Sequence, residues 1–122
     1  LSRRAGIRIE RDFHQALPPL TAETELAVYR VAQESLTNVA RHADASHVIL
    51  RLEPGTESVV LTVLDDGRGF RDGQRPEEHG GIRGMRERAL LVGGALAVKP
   101  RPSGGVEVRF EVPATSEPEM ER

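Results

Sequence analysis

The sequence predicts an α/β two-layer sandwich, a mixed and mostly antiparallel sheet with helices on one face. Three observations lead there. A long segment with helical spacing precedes two alternating apolar runs joined by a turn, and a second helical segment stops at a glycine pair. Two short strands then close the chain. Strand, helix, hairpin, helix, hairpin is an order that stacks helices on one side of a sheet. With 122 residues, one domain is expected, long enough to bury roughly two-thirds of its unfolded surface.

The elements follow in order. Leu1 to Ala5 is polar, with no partner in view. From Gly6 to Phe13, Ile7, Ile9 and Phe13 fall on alternate positions, as in a strand with one buried face. Pro18-Pro19 breaks the chain, and Thr21 is placed to cap a helix whose first turn carries Glu23 and Glu25. That helix runs to about Ala43. Val28, Ala32, Leu36, Val39 and Ala43 are spaced to line its apolar face, while Arg30, Glu34, Asn38 and His42 form a polar row beside it. His47 to Glu53 alternates, Pro54 to Glu57 is a turn, and Ser58 to Leu64 is nearly continuously apolar, so this hairpin's second strand is central. Arg71 to Gly80 is a polar loop without period. Ile82, Met85, Ala89 and Val92 mark a second helix, ended by Gly93-Gly94. Ala95 to Lys99 is a short strand and Pro100 to Gly105 a turn. A last strand alternates Val106, Val108, Phe110 and Val112 with Glu107, Arg109 and Glu111, and Ala114 to Arg122 is a frayed tail.

Composition excludes several functions. Without cysteine there are no disulfides, thiol nucleophiles or cysteine-ligated metals. Seventeen basic residues against 19 acidic ones leave a formal charge of −2, so no global basic field is available to hold nucleic acid. No apolar run is long enough for a membrane span or a signal peptide. A soluble intracellular domain with an aliphatic core is expected.

Four segments carry candidate chemistry. Asp65-x-Gly67-x-Gly69 follows the central strand, where a carboxylate can accept hydrogen bonds and two glycines admit a ligand close to the backbone; it is equally an ordinary Asp-Gly turn. Glu34 and Asn38, one turn apart on the long helix, offer two hard oxygens suited to Mg²⁺, with Arg41 and His42 one turn on. The alternative is a solvated row of ion pairs. Gly80-Gly81-Ile82-Arg83-Gly84 leads into a helix N-terminus, whose free N–H groups and dipole favour a phosphate chain, or serves as a linker. Gly84 weakens the helix that it begins. Ser103-Gly104-Gly105 alone is a hairpin turn.

Together, in this order, the segments resemble a known family. Tyr29 to Ala43 (YRVAQESLTNVARHA) resembles the asparagine box of two-component sensor histidine kinases, in the NarL/DesK-like branch that pairs with LuxR/NarL-type response regulators. Asp65 to Phe70 (DDGRGF) looks like the first glycine box of that family, Gly81 to Arg88 (GIRGMRER) the second, and Gly104-Gly105 the third. The resemblance runs from Gly6 to Pro113, which would be the catalytic domain, with flexible ends at 1–5 and 114–122.

The resemblance implies the Bergerat ATP-binding fold of the GHKL superfamily, with ATP and Mg²⁺ as cofactors. Asp65 would accept the adenine amino proton, with Gly67 and Gly69 making room beside the base. Asn38, with Glu34, would hold Mg²⁺, and Glu34 would orient or activate the attacking group. Arg41 and His42 would lie near the phosphates. Phe70 to Gly80 would be the lid over ATP. Gly81, Ile82, Gly84 and Met85 would meet the phosphate chain, and Gly104 and Gly105 would complete the site. The family often has glycine where this chain has His79, and threonine where it has Val106.

No segment resembles the dimerisation helices and phosphoacceptor histidine that normally precede such a domain, and neither His14 nor His47 has the acceptor context. The expectation is therefore a cytoplasmic catalytic module, monomeric when isolated, without direct membrane contact. It would donate the γ-phosphate of ATP to a histidine of a dimerisation domain, with a response regulator as later recipient. The alternatives are an anti-sigma-type serine kinase or other nucleotide-binding regulatory module, and an interaction domain in which the glycines are only turns.

Overall fold

A computed structural model of the chain describes residues 6–78 and 81–116, the side chains of residues 42, 43 and 77 excepted. Strand β1 (Arg8–Phe13) leads to helix α1 (Ala22–Asn38), then to the hairpin of β2 (His47–Gly55) and β3 (Ser58–Asp65). After a 3₁₀ turn at Pro76–Glu78 come helix α2 (Ile82–Leu91) and the hairpin of β4 (Ala95–Pro100) and β5 (Val106–Pro113). The sheet order is β1-β2-β3-β5-β4; β1 and β2 are parallel and every other pairing is antiparallel. The expected mixed, mostly antiparallel sandwich is the observed one, with β3 at its centre.

Alternation explains the layering. Val59, Leu61 and Val63 of β3 face the helices, as do Val106, Val108, Phe110 and Val112 of β5, and all are buried. Ile82, Met85 and Ala89 come down from α2 onto this surface, so Phe110 and Leu61 are enclosed at the middle of one aliphatic core. The opposite face of the sheet carries exposed ion pairs such as Arg51–Asp12 at 2.9 Å, each worth about 1 kcal/mol or less.

Helix α1 departs from the expected stripe. Its buried residues are Thr24, Ala27, Val31, Ser35 and Asn38, while Val28, Ala32 and Leu36 only flank the core. Ala27, Val31 and Ser35 point at the sheet, while Val28, Ala32 and Leu36 lie to the sides. The buried hydroxyls are satisfied locally: Thr24 pairs with the capping Thr21, and Ser35 Oγ donates to Met85 Sδ at 3.6 Å. The regular helix also ends at Asn38 rather than Ala43. Val39–Ala43 is a π-helical turn, closed by Asp44 in the left-handed conformation (φ 53°). A π turn fits more residues per turn and so shifts the helical period after Asn38.

Two substitutions test this account. Thr21→Ala removes the cap on α1, where Thr21 Oγ1 accepts the Thr24 N–H at 3.2 Å, and should lower the urea unfolding free energy by about 1 kcal/mol. Phe110→Ala empties the centre of the core and should cost about 3–5 kcal/mol. Equal losses in the two variants, followed by circular dichroism, would contradict the arrangement.

Candidate functional site

The site grows from the end of β3. The alternation that sends Val59, Leu61 and Val63 into the core sends Asp65 to the same face, where it is 5% exposed. A carboxylate there must be hydrogen-bonded. Its Oδ1 accepts the Gly67 N–H at 2.8 Å, and the Val106 N–H supplies a second backbone bond. Burial pushes the Asp65 carboxyl above the usual range, and neighbouring Asp66 adds to this; the two N–H groups and the Arg101 guanidinium pull the other way without cancelling it.

The next residue is tied differently. Desolvation acts on the exposed Asp66 carboxylate too, but it is outweighed by hydrogen bonds from the N–H groups of His47 (3.0 Å) and Ser46 (2.9 Å) and from the Ser46 hydroxyl (2.9 Å). These hold its pKa below the usual range and pin the loop to the start of β2.

Beside Asp65 a narrow cleft is lined by Ser35, Asn38, Val39, Val63, Gly69, Ile82, Val106 and Val108. Asn38 is 8% exposed. Aliphatic walls with an amide on one side and a buried carboxylate on another suit a flat heteroaromatic ring that donates a hydrogen bond.

Gly105 makes this closeness possible. Its φ is +93°, and a Cβ there would strike the Asp65 carbonyl and lie 2.8 Å from Asp65 Oδ1. Gly104 sits one residue back, 3.8 Å from the Gly67 carbonyl by the same measure. Phe70 packs partly buried against the core.

A second depression of about 500 Å³ lies on the outer side of the helices, lined by Arg30, Gln33, Glu34, Gly81, Gly84, Met85 and Arg88. Gly81 precedes α2 at φ +80°, and a Cβ there would collide with the Glu34 carboxylate. Among the described residues no side chain caps the α2 N-terminus, and the space beside Gly84 is open. Glu34 and Asn38, one turn apart, thus line different depressions.

The cleft therefore gathers Asn38, Asp65, Gly69 and Ile82, with Gly67, Gly104 and Gly105 at its edge through Asp65. Glu34, Gly81, Gly84 and Met85 gather in the outer depression. Arg41 is exposed in the π turn. The side chain of His42, and His79 and Gly80 of the expected lid, lie outside the described residues. Sequence reasoning overlooked Ser35, Val39, Val63, Val108, Asp66 and Arg101. Val63 was accessible, since it lies two residues before Asp65 on the same strand face; Arg101 left no signal.

Among the described residues no three His, Asp or Glu side chains cluster to hold a metal. A cation at the cleft would take the Asn38 amide oxygen and complete its shell from water and an anionic ligand. That is how Mg²⁺ is commonly held, so the residues fit it.

Comparison with known proteins agrees with this geometry. The family described as histidine kinase-, DNA gyrase B-, and HSP90-like ATPase matches residues 23–116. The signal transduction histidine-protein kinase/phosphatase DegS of Brevibacillus brevis is 33% identical over 76% of this chain and 24% of its own length. The oxygen sensor histidine kinase NreB of Staphylococcus carnosus (strain TM300) is 38% identical over 90% of this chain and 32% of its own. The chain thus spans about a quarter to a third of the length of these relatives. Among solved structures, the Erythrobacter litoralis EL346 blue-light activated histidine kinase superposes with a TM-score of 0.76 at 28% identity, covering 92% of this chain and 37% of that one.

The raised pKa of Asp65 has a stability consequence with a definite sign. A carboxyl whose folded pKa exceeds its unfolded value stabilises the fold when protonated. That contribution is full below the unfolded pKa, about 3.9, and is lost as pH rises through the folded one. Asp65→Asn cannot ionise and escapes this loss. The melting temperature of Asp65→Asn minus that of the wild type should therefore grow more positive as pH rises from about 3.5 towards 7; a difference that is flat or falls with pH would contradict the burial argument.

Proposed function

The chain belongs to the histidine kinase-, DNA gyrase B- and HSP90-like ATPase family, and from that premise we propose that residues 6–113 are the ATP-binding catalytic module of a two-component sensor histidine kinase. The observation that carries this reading is the buried Asp65 carboxylate sharing a narrow aliphatic cleft with Asn38.

In this reading Asp65 accepts a hydrogen bond from the adenine amino group. The base lies between Val63, Val106 and Val108 on the sheet side and Ile82 and Val39 on the helix side. Gly67, Gly69, Gly104 and Gly105 keep the backbone close to it without side chains in the way. The phosphate chain runs out towards the uncapped N-terminus of α2, where the N–H groups of the first turn and the positive dipole end meet negative charge. Ile82 and Met85 hold that turn on the core, Gly84 leaves open space beside it, and Glu34 lies against Gly81. Arg41 and His42 lie near the phosphates from the π turn. Phe70 to Gly80 is the lid.

Asn38, with Glu34 as the second expected ligand, would hold Mg²⁺, which when bound would neutralise charge on the phosphates. Glu34, open to the outer depression, orients or deprotonates the attacking imidazole of a histidine on a dimerisation domain. The N–P bond forms as the bond from the γ-phosphorus to the β–γ bridging oxygen breaks, and ADP leaves. Catalysis is then positioning and electrostatics, with little covalent work for the protein. The later recipient is a response regulator of the LuxR/NarL type, and the reaction takes place in the cytoplasm, where ATP is.

Calorimetric titration of Mg²⁺–ATP tests the reading. Wild type should bind. Asp65→Asn, which places an amide opposite the adenine amino group, should bind roughly 10- to 100-fold more weakly, as a lost buried hydrogen bond implies. Asn38→Ala should lose the part of the affinity that EDTA removes from wild type. Gly84→Ala should raise the unfolding free energy by roughly 0.5–1 kcal/mol yet weaken ATP binding. A wild type that binds neither ATP nor ADP would overturn the proposal.

A further inference from the structure

We propose that Arg101 is a positioning residue of the nucleotide site: from the β4–β5 turn it fixes the backbone at Asp65 and lends its positive charge to the buried carboxylate. The inference rests on the nucleotide reading above.

Three geometric observations carry it. Arg101 Nη1 donates to the Asp65 carbonyl oxygen at 2.7 Å, a charge-assisted bond on the residue that meets the base. The turn that carries Arg101 is closed on itself: the Arg101 N–H donates to the Gly105 carbonyl and the Gly104 N–H to the Arg101 carbonyl, each at 3.0 Å. The guanidinium is thus anchored at its own backbone as well as at its tip. The same turn abuts both sides of the first glycine loop, since Gly105 backs directly onto Asp65 and its carbonyl lies 3.3 Å from where a Gly69 Cβ would stand. The turn thus packs against Asp65 on one side and Gly69 on the other.

Charge adds to geometry. Among the described residues, the charged groups acting on the Asp65 carboxyl are Asp66 on its own loop and Arg101. The elements packed against it from α1, α2 and β5 present Ser35, Asn38, Ile82, Val106 and Val108, and none of these titrates. Arg101 is then the cation that offsets burial and the Asp66 charge, and it favours the ionised form that accepts the adenine amino proton.

The test uses ADP in the presence of EDTA, which keeps metal out of the reading. Binding is measured by calorimetry from pH 5 to 8.5 for wild type, Arg101→Gln and Arg101→Lys, with the Asp65 carboxyl followed by NMR in ¹³C-labelled protein. Arg101→Gln should bind ADP about tenfold more weakly at pH 7. Its Asp65 titration and the acid limb of its binding curve should both move to higher pH. Arg101→Lys keeps the charge without the planar fork; its Asp65 titration should stay near that of wild type while affinity recovers only in part. A purely structural arginine would lower affinity equally at every pH, and an Asp65 titration in Arg101→Gln that superposes on wild type overturns the proposal. Should the Gln variant fail to fold, the Lys variant decides: ADP affinity equal to wild type overturns the role. A wild type that binds no ADP instead overturns the nucleotide reading itself, and the role of Arg101 with it.

Discussion

The molecule is organised around a carboxylate buried where its central strand ends. Alternation along β3 leaves Asp65 no choice of face, because the residues two and four before it fill the core. Isolated in that position a carboxylate would be intolerable. The local structure answers with the Gly67 and Val106 N–H groups, the Arg101 guanidinium and a glycine at Gly105 that lets the next strand's turn come into contact. These features come from the loop after β3 and from the β5 side of the sheet, so the Asp65 end of the cleft is held from two directions. Asp66 extends the arrangement to β2. Two adjacent aspartates thus have opposite tasks. The exposed one fastens the loop through three hydrogen bonds, and the buried one is held by backbone N–H groups while burial raises its pKa.

Helix α1 shows the same economy on the opposite wall. A stripe of Thr24, Ala27, Val31, Ser35 and Asn38 is a poor hydrophobic face by composition. It is a good packing face, because short side chains let the helix lie close to β3 and β5 and give Asn38 a place at the cleft. The regular helix stops at that asparagine, and the π turn that follows leaves Arg41 exposed. Such turns recur where a helix must present side chains out of phase with its own packing.

Strands and turns were legible because period-two alternation and the Pro, Gly and Asn/Asp breakers act locally. The order of elements then settled the sandwich. The phase of α1 was not legible, since the apolar spacing read from the sequence ran through Val28, Ala32 and Leu36, whereas Ala27, Val31 and Ser35 face the sheet. The π turn left no trace, as the residues from Val39 to Ala43 are ordinary helix formers or neutral. Of the site, Asp65 and Asn38 were visible as residue types, each ambiguous alone. What joined them was the pattern of four glycine- and asparagine-bearing segments, whose order matches a family. The cleft walls depend on strand register, through Val63 facing Val108 across β3 and β5. The reach of Arg101 depends on the shape of a turn, and neither is written in local sequence.

The two depressions also bear on why such a module needs a second domain. Asn38 opens to the cleft and Glu34, one helical turn away, to the outer surface, where Arg30, Arg88 and the glycines of α2 surround it. On the function proposed, a nucleotide enters with its base deep beside Asp65, and its terminal phosphate emerges towards the outer side. A base that activates an attacking group must then face outward, and the group itself must come from beyond the domain. Glu34 packed on Gly81 meets the first requirement, because a glycine at that point is what lets the carboxylate lie across the start of α2. The geometry that buries the adenine end is thus the geometry that leaves the reactive end exposed. On that proposal the base is recognised between sheet and helices, whereas phosphoryl transfer would wait for a histidine that another domain supplies.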